Sequence, residues 1–164
     1  MTAATVDVQT DSPAETRALA ARLAEESRAG DRIALTGHLG AGKTVFAKGF
    51  AEGLGVREVV NSPSFTLMAE YAGRLPLFHQ DLYRLAGAEE ALAGGLLDER
   101  QQTGVTLTEW AERLPAALDP DRLTVAIEIG DGDQRRISVS GDRGREHGRY
   151  LDAAADWADR RTGA

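Results

Sequence analysis

The chain is 164 residues long, carries 26 acidic against 19 basic residues for a net charge of −7, and contains no cysteine. Disulfides and thiolate metal sites are excluded, and so acidic a chain offers no uniformly basic surface for holding nucleic acid by counterion release. The length suits one α/β domain, 1–164, and no apolar run approaches the ~20 residues of a membrane span; with no signal-peptide pattern at the N-terminus, a cytoplasmic protein without membrane contact is expected.

Thr5-Val6-Asp7-Val8-Gln9 alternates apolar and polar residues, the period of a strand with one covered face. Ser12-Pro13-Ala14-Glu15 then opens a helix, with Ser12 as N-cap, Pro13 in the first helical position and Glu15 closing a capping box. Leu19 and Leu23 mark its buried stripe, and Gly30 is the expected end.

Next comes Arg32-Ile33-Ala34-Leu35-Thr36, a short apolar run that reads as a buried strand, followed by Gly37-His38-Leu39-Gly40-Ala41-Gly42-Lys43-Thr44. Those eight residues satisfy the phosphate-binding pattern G-x-x-x-x-G-K-[ST] at each fixed position. Glycines are needed because the backbone must curl around a phosphate with its N–H groups inward. Gly40 and Gly42 should line that cradle, and Gly37, Leu39, Ala41 and Val45 are the other nucleotide contacts expected along the motif. Lys43 brings a point charge to the outer phosphates, and the Thr44 hydroxyl is placed for Mg²⁺. Phe46, Phe50 and Leu54 recur on one face of the helix that follows, with Gly55 as its stop. Only Lys43 and Lys48 among the 19 basic residues are lysines, so an arginine-rich composition has kept an ammonium where phosphates require one.

Beyond Glu58 the helical period vanishes, and Val59 to Thr66 forms a hydroxyl-rich, proline-fixed loop in the position where nucleotide switches sense the γ-phosphate. An ordinary connector would look the same. Leu67–Tyr71 and Leu75–Gln80 read as strands of a hairpin turning at Ala72-Gly73-Arg74, and the second delivers Asp81 to a strand's carboxyl end. There Asp81 can serve Mg²⁺ or the attacking water, or be a turn residue. Ala88–Ala93 reads as a short helix. Val105-Thr106-Leu107-Thr108-Glu109 is a strand ending in a carboxylate, which makes Glu109 the expected second Mg²⁺ ligand. Trp110 either stacks on a base or caps the core. Asp119-Pro120 marks a turn, Leu123–Ile129 and Arg135–Ser140 form a hairpin, Gly141–Gly148 reads as a flexible loop, and Tyr150–Arg161 is an amphipathic helix with Trp157 inward and a frayed end from Arg160 on.

Taken together, the phosphate loop, Ser62-Pro63-Ser64-Phe65, His79-Gln80-Asp81-Leu82-Tyr83-Arg84-Leu85 and Thr108-Glu109-Trp110 resemble the TsaE (YjeE) proteins of bacteria in order and spacing over nearly the whole chain. Ser64 stands where that family usually has threonine, and Ala111 where proline is common. The resemblance implies an α/β fold of the P-loop NTPase type, with a mixed sheet, central parallel strands and flanking helices. It implies ATP and Mg²⁺ as cofactors and TsaD-like and TsaB-like partners. It also implies a role in making threonylcarbamoyladenosine in tRNA beside the anticodon, with tRNA met only through the complex. By the same resemblance Lys43 and the loop glycines hold phosphates, Thr44 and Glu109 ligate Mg²⁺, and Asp81 belongs to hydrolysis. Trp110 and the loop around Ser64 lie near the nucleotide or the partner surface, and Arg135 approaches the nucleotide.

Two other functions compete with a partner-dependent ATPase. A small-molecule phosphotransferase needs an acceptor pocket and an arginine-bearing lid, and no long insertion between the strands supplies one. A GTPase-type module uses an N/T-K-x-D segment for guanine, and none occurs, which favours ATP.

Overall fold

The computed structural model describes residues 3–38, 40–61, 68–82, 99–113 and 121–162. The apolar run before the phosphate loop becomes strand β2 (Arg32–Gly37), with Ile33, Ala34 and Leu35 all buried, and it sits near the middle of a seven-stranded sheet. Around it stand β1 (Ala3–Thr10), β3 (Met68–Tyr71), β4 (Leu77–Asp81), β5 (Val105–Glu109), β6 (Leu123–Ile129) and β7 (Arg135–Asp142). The order is β1-β7-β6-β2-β5-β4-β3. The β6-β2-β5-β4 block is parallel, and β7, β1 and β3 join antiparallel, so the expected mixed sheet with parallel centre is present. Parallel strands buried on both faces read as continuous apolar runs, which is why β2 lacks alternation while edge strand β1 keeps it.

Helices α1 (Pro13–Ala24), α2 (Lys43–Gly53) and α3 (Gly148–Thr162) share one core with Ile33 and Leu35 of β2, Leu107 of β5 and Leu123, Val125 and Ile127 of β6. Phe46 and Phe50 of α2 are fully buried, their rings 6.4 Å apart. Gly55 lies just past the end of α2 with φ +79°, and the bonds from Gly55 N–H to Glu52 O and from Val56 N–H to Ala51 O close the helix as a Schellman turn. Trp157 packs against the core from α3, as its place on the helical stripe implies.

Several expectations are corrected. Helix α1 ends at Ala24, and Gly30 instead makes a left-handed turn whose N–H bonds Gly104 O before β2 begins. Ser12 caps Glu15 N–H, but the Glu15 carboxylate accepts from Asp11 N–H rather than closing a box on Ser12. The stretch 141–148 is structured: β7 runs through Asp142, whose carboxylate caps a 3-10 turn at Arg143–Arg145. His147 then ties the turn down, its Nδ1 accepting from Asp142 N–H at 2.9 Å and its Nε2 bonding Asp121 O at 2.8 Å. Helix α3 continues through Thr162, and Arg161 pairs with Asp11 and Glu15, so the helix is held to its last turn. Strand β4 begins at Leu77, after Pro76, rather than at Leu75. The expected helix at 88–93, the turn at 119–120 and the hydroxyl-rich segment 62–66 lie outside the described residues.

Candidate functional site

A phosphate loop works by turning backbone N–H groups inward, and here that demand falls on Gly40 and Gly42, at φ +82° and +112°. Among the described residues a Cβ on either would meet no atom within 4 Å, so the space beside the loop is open. Gly37 is set by close approach instead: a Cβ there would stand 2.6 Å from Ile127 O. Gly42 is also the N-cap of α2, so the loop runs directly into the positive end of that helix. Ala41 is buried, Val45 half-buried, Thr44 exposed beside the open space, and Leu39 lies outside the described residues.

Lys43 is only 6% exposed. Its ammonium donates to the carbonyls of Gly37 and His38 and sits 3.7 Å from the centroid of the Trp110 ring. Burial lowers its pKa from the ordinary lysine value, opposed by the carboxylates of Glu112, Glu109 and Asp81. Both expected acids therefore act on the ammonium at the loop. Asp81 and Glu109 are paired residues at the carboxyl ends of adjacent parallel strands β4 and β5, and both are buried. Two neighbouring carboxylates repel, and the arrangement needs cationic or hydrogen-bonding company. Lys43 supplies one part of it. His79 supplies another, its Nε2 lying 2.6 Å from Glu109 Oε2.

Trp110 is half-buried with φ +57°, a backbone conformation rare for a large aromatic residue. Its ring lies against the Lys43 ammonium, and among the described residues it is not one of the hydrophobic side chains packed on the core. Arg135 reaches the loop itself, donating from Nε to Ala41 O at 2.8 Å and from Nη1 to Gly132 O and Gln134 O. Ser64 lies outside the described residues. Thr106 and Thr108 of β5 point to the opposite face from Glu109, where Thr108 donates to Gln80 Oε1 at 3.0 Å. Neither His79 nor Glu112 stands at a fixed position of the phosphate-binding pattern or at the last residue of a strand. The period of a strand places His79 on the same face as Asp81, and that was the available signal.

The family model described as "Threonylcarbamoyl adenosine biosynthesis protein TsaE" matches residues 10–137, a span that contains the loop, both acids and Arg135. The chain belongs to the TsaE family. It is 45% identical over 133 residues to the tRNA threonylcarbamoyladenosine biosynthesis protein TsaE of Bacillus subtilis, covering 80% of this chain and 83% of that one. With the Treponema pallidum protein of the same name it shares 43% identity over 119 residues, 73% of this chain and 86% of the other. The crystal structure of Bacillus subtilis YdiB superposes with a TM-score of 0.75 at 36% identity, covering 95% of this chain and 98% of that one. Membership places this TsaE chain in tRNA processing, and among its described residues no helix is long and apolar enough to cross a membrane.

The residues present fit a magnesium nucleotide. Open space beside Gly40 and Gly42, a helix N-terminus, an ammonium and an exposed hydroxyl form an anion site. Among the described residues no three His, Asp or Glu gather as a self-sufficient metal cluster. A Mg²⁺ ion here would lean on phosphate oxygens and water besides Thr44 and Glu109, the ordinary habit of that ion.

Proposed function

We propose that residues 1–164 form a single cytoplasmic ATPase domain that binds Mg-ATP, hydrolyses it slowly, and acts with TsaD-like and TsaB-like proteins in forming threonylcarbamoyladenosine in tRNA, hydrolysis resetting the complex between rounds. One observation carries this reading: Asp81 and Glu109 end adjacent parallel strands and both act on the ammonium of Lys43 at the mouth of a glycine loop. Family membership supports the pathway.

In this reading the loop N–H groups from Gly40 to Val45 bind the phosphates, and Lys43 exchanges its two carbonyls and the Trp110 ring for phosphate oxygens. Thr44 Oγ1 and one Glu109 oxygen would hold Mg²⁺, which would draw charge from the phosphoryl oxygens. The Asp81 carboxylate orients a water and accepts its proton. Trp110, beside Lys43, excludes solvent from the nucleotide, and the family resemblance adds Ser64 to the nucleotide contacts. Arg135 braces Ala41 O of the loop beside the nucleotide. The chain turns over slowly alone because the nucleotide must first displace Lys43 from its carbonyls and from the Trp110 ring, and a partner that draws Trp110 away lowers that cost.

The test is phosphate release from Mg-ATP by purified protein, alone and with TsaB-like and TsaD-like partners. Slow release that rises with partners supports the proposal. Transfer of the phosphoryl group to a metabolite in place of water, or no nucleotide binding at all, would overturn it.

A further inference from the structure

His79 is completely buried on β4, between Leu77 and Asp81 on the face that looks toward the loop. Its register partners are Leu107 on β5 and Ala69 on β3, both aliphatic, and an apolar side chain would stand beside them without the cost of burying an imidazole. Among the described residues Nδ1 has no hydrogen-bond partner, and the contact that satisfies the ring is the 2.6 Å bond from Nε2 to Glu109 Oε2. A carboxylate only accepts, so Nε2 carries the hydrogen and donates. The bond runs diagonally between the strands, from His79 to a residue two beyond its register partner Leu107.

A bond of this kind has a directional consequence. Tying down Oε2 stops rotation of the Glu109 carboxylate and commits Oε1 as the oxygen offered to a cation. We infer that His79 is a positioning residue that orients the Glu109 carboxylate for Mg²⁺ in the nucleotide site. This rests on the reading of Glu109 as a metal ligand given above. Such outer partners fix ligand geometry, and their loss usually weakens metal binding by about 10-fold to 100-fold. The phosphate loop does not depend on this bond, so nucleotide affinity without metal is left alone.

The experiment measures binding of a fluorescent, non-hydrolysable ATP analogue to the full chain in EDTA and across a Mg²⁺ titration. His79→Leu keeps the EDTA affinity but needs at least about 10-fold more Mg²⁺ for half of its metal-dependent gain. His79→Gln, whose amide nitrogen reaches the place of Nε2, restores the wild-type titration. A His79→Leu titration that overlays the wild type overturns the inference, as does a folded His79→Gln as impaired as the leucine variant. Should His79→Leu fail to fold, His79→Asn takes its place, since its shorter amide reaches only the Nδ1 position. Asparagine needing more Mg²⁺ than glutamine then supports the role, and equality overturns it. Wild-type protein that binds the analogue with no metal-dependent gain removes Glu109 as a ligand and the inference with it; a gain shared by wild type and variant removes the inference alone.

Discussion

The Lys43 ammonium stands 3.7 Å from the centroid of the Trp110 indole, held between that ring and the carbonyls of Gly37 and His38. Trp110 reaches this position through a left-handed backbone, φ +57°, that costs an aromatic residue on the order of 1–3 kcal/mol. A nucleotide that takes the ammonium must break this cation–π contact. In a Trp157→Phe background, which leaves Trp110 as the sole tryptophan, saturating Mg-ATP is expected to change the emission intensity and wavelength. Unaltered emission at saturation would show that the lysine keeps its aromatic partner and that the exchange is wrong.

Lys43 also has a stability signature. Its folded-state pKa is lowered, chiefly by burial, so between that lowered value and the ordinary ~10.4 the unfolded chain binds more protons than the native one. Stability therefore rises with pH across that window, and below it the full cost of the buried charge is present. Lys43→Met removes the cost, so the nucleotide-free variant should melt higher than wild type at pH 7 and show a flatter profile toward pH 10. Hydrolysis should fall at least about 100-fold, because the group meeting the transferred charge is gone. Thermal melts with and without Mg-ATP read both effects; a lower apo midpoint in the variant would contradict the sign.

His147 carries the opposite end of the pH range. Burial lowers its pKa; Asp31 and Asp142 oppose this, while Arg145 and Arg149 reinforce it. The geometry agrees, since Nδ1 accepts from Asp142 N–H and has no room for a proton of its own. A depressed folded pKa means the stabilisation is present above pH ~6.5 and is lost as the pH falls from there through the folded value. Denaturant unfolding at pH 7.5 and 5.5 should show the wild type losing stability and His147→Asn losing less. At pH 7.5 the variant should sit about 1–3 kcal/mol below wild type for the hydrogen bond it leaves unmade. An equal pH slope in both proteins would place the acid sensitivity elsewhere.

The parts of this fold that follow local rules were legible in the residues. Ser12 and Pro13 start α1, Gly55 stops α2, and β2 and β5 deliver the loop and Glu109 where strand ends predict them. Failures came where a distant partner decides. Gly30 looks like a helix stop but answers to Gly104 O, and residues 141–148 look like a loose glycine-rich loop until His147 is tied to Asp121. Arg161 looks frayed until β1 and α1 bring Asp11 and Glu15 beside it. In the site, Lys43, Asp81 and Glu109 could be named from motif and strand position. The Arg135 bond to Ala41 O and the His79 bond to Glu109 depend on strand order and register, and no local pattern encodes those.

A packing signal that local reading passed over is the pair Gly49 and Gly53, four apart on α2. A Cβ on Gly49 would lie 2.4 Å from Arg17 O, and one on Gly53 2.3 Å from Ala21 O and 2.8 Å from Ala24 Cβ, so α1 lies directly on the α2 backbone. Alanine is the better helix former by about 1 kcal/mol, but overpacking costs about 1–3 kcal/mol, and contacts this short place the cost at the upper end. Gly49→Ala should therefore destabilise by about 1–2 kcal/mol net. One helix must yield. Helix α2 is locked by fully buried Phe46 and Phe50 and begins at the phosphate loop; α1 also buries Leu19 and Leu23, but its Pro13, Arg17 and Ala18 are exposed, so α1 is the helix expected to move. Once α1 has moved for one methyl group the second meets less resistance, so Gly49→Ala with Gly53→Ala should cost less than the sum of the two. Nucleotide affinity should stay within about twofold of wild type, since α2 and its N-terminus keep their place. Denaturant melts read the first two outcomes and analogue binding the third; a stability loss accompanied by a large loss of affinity would mean that α2, not α1, gives way.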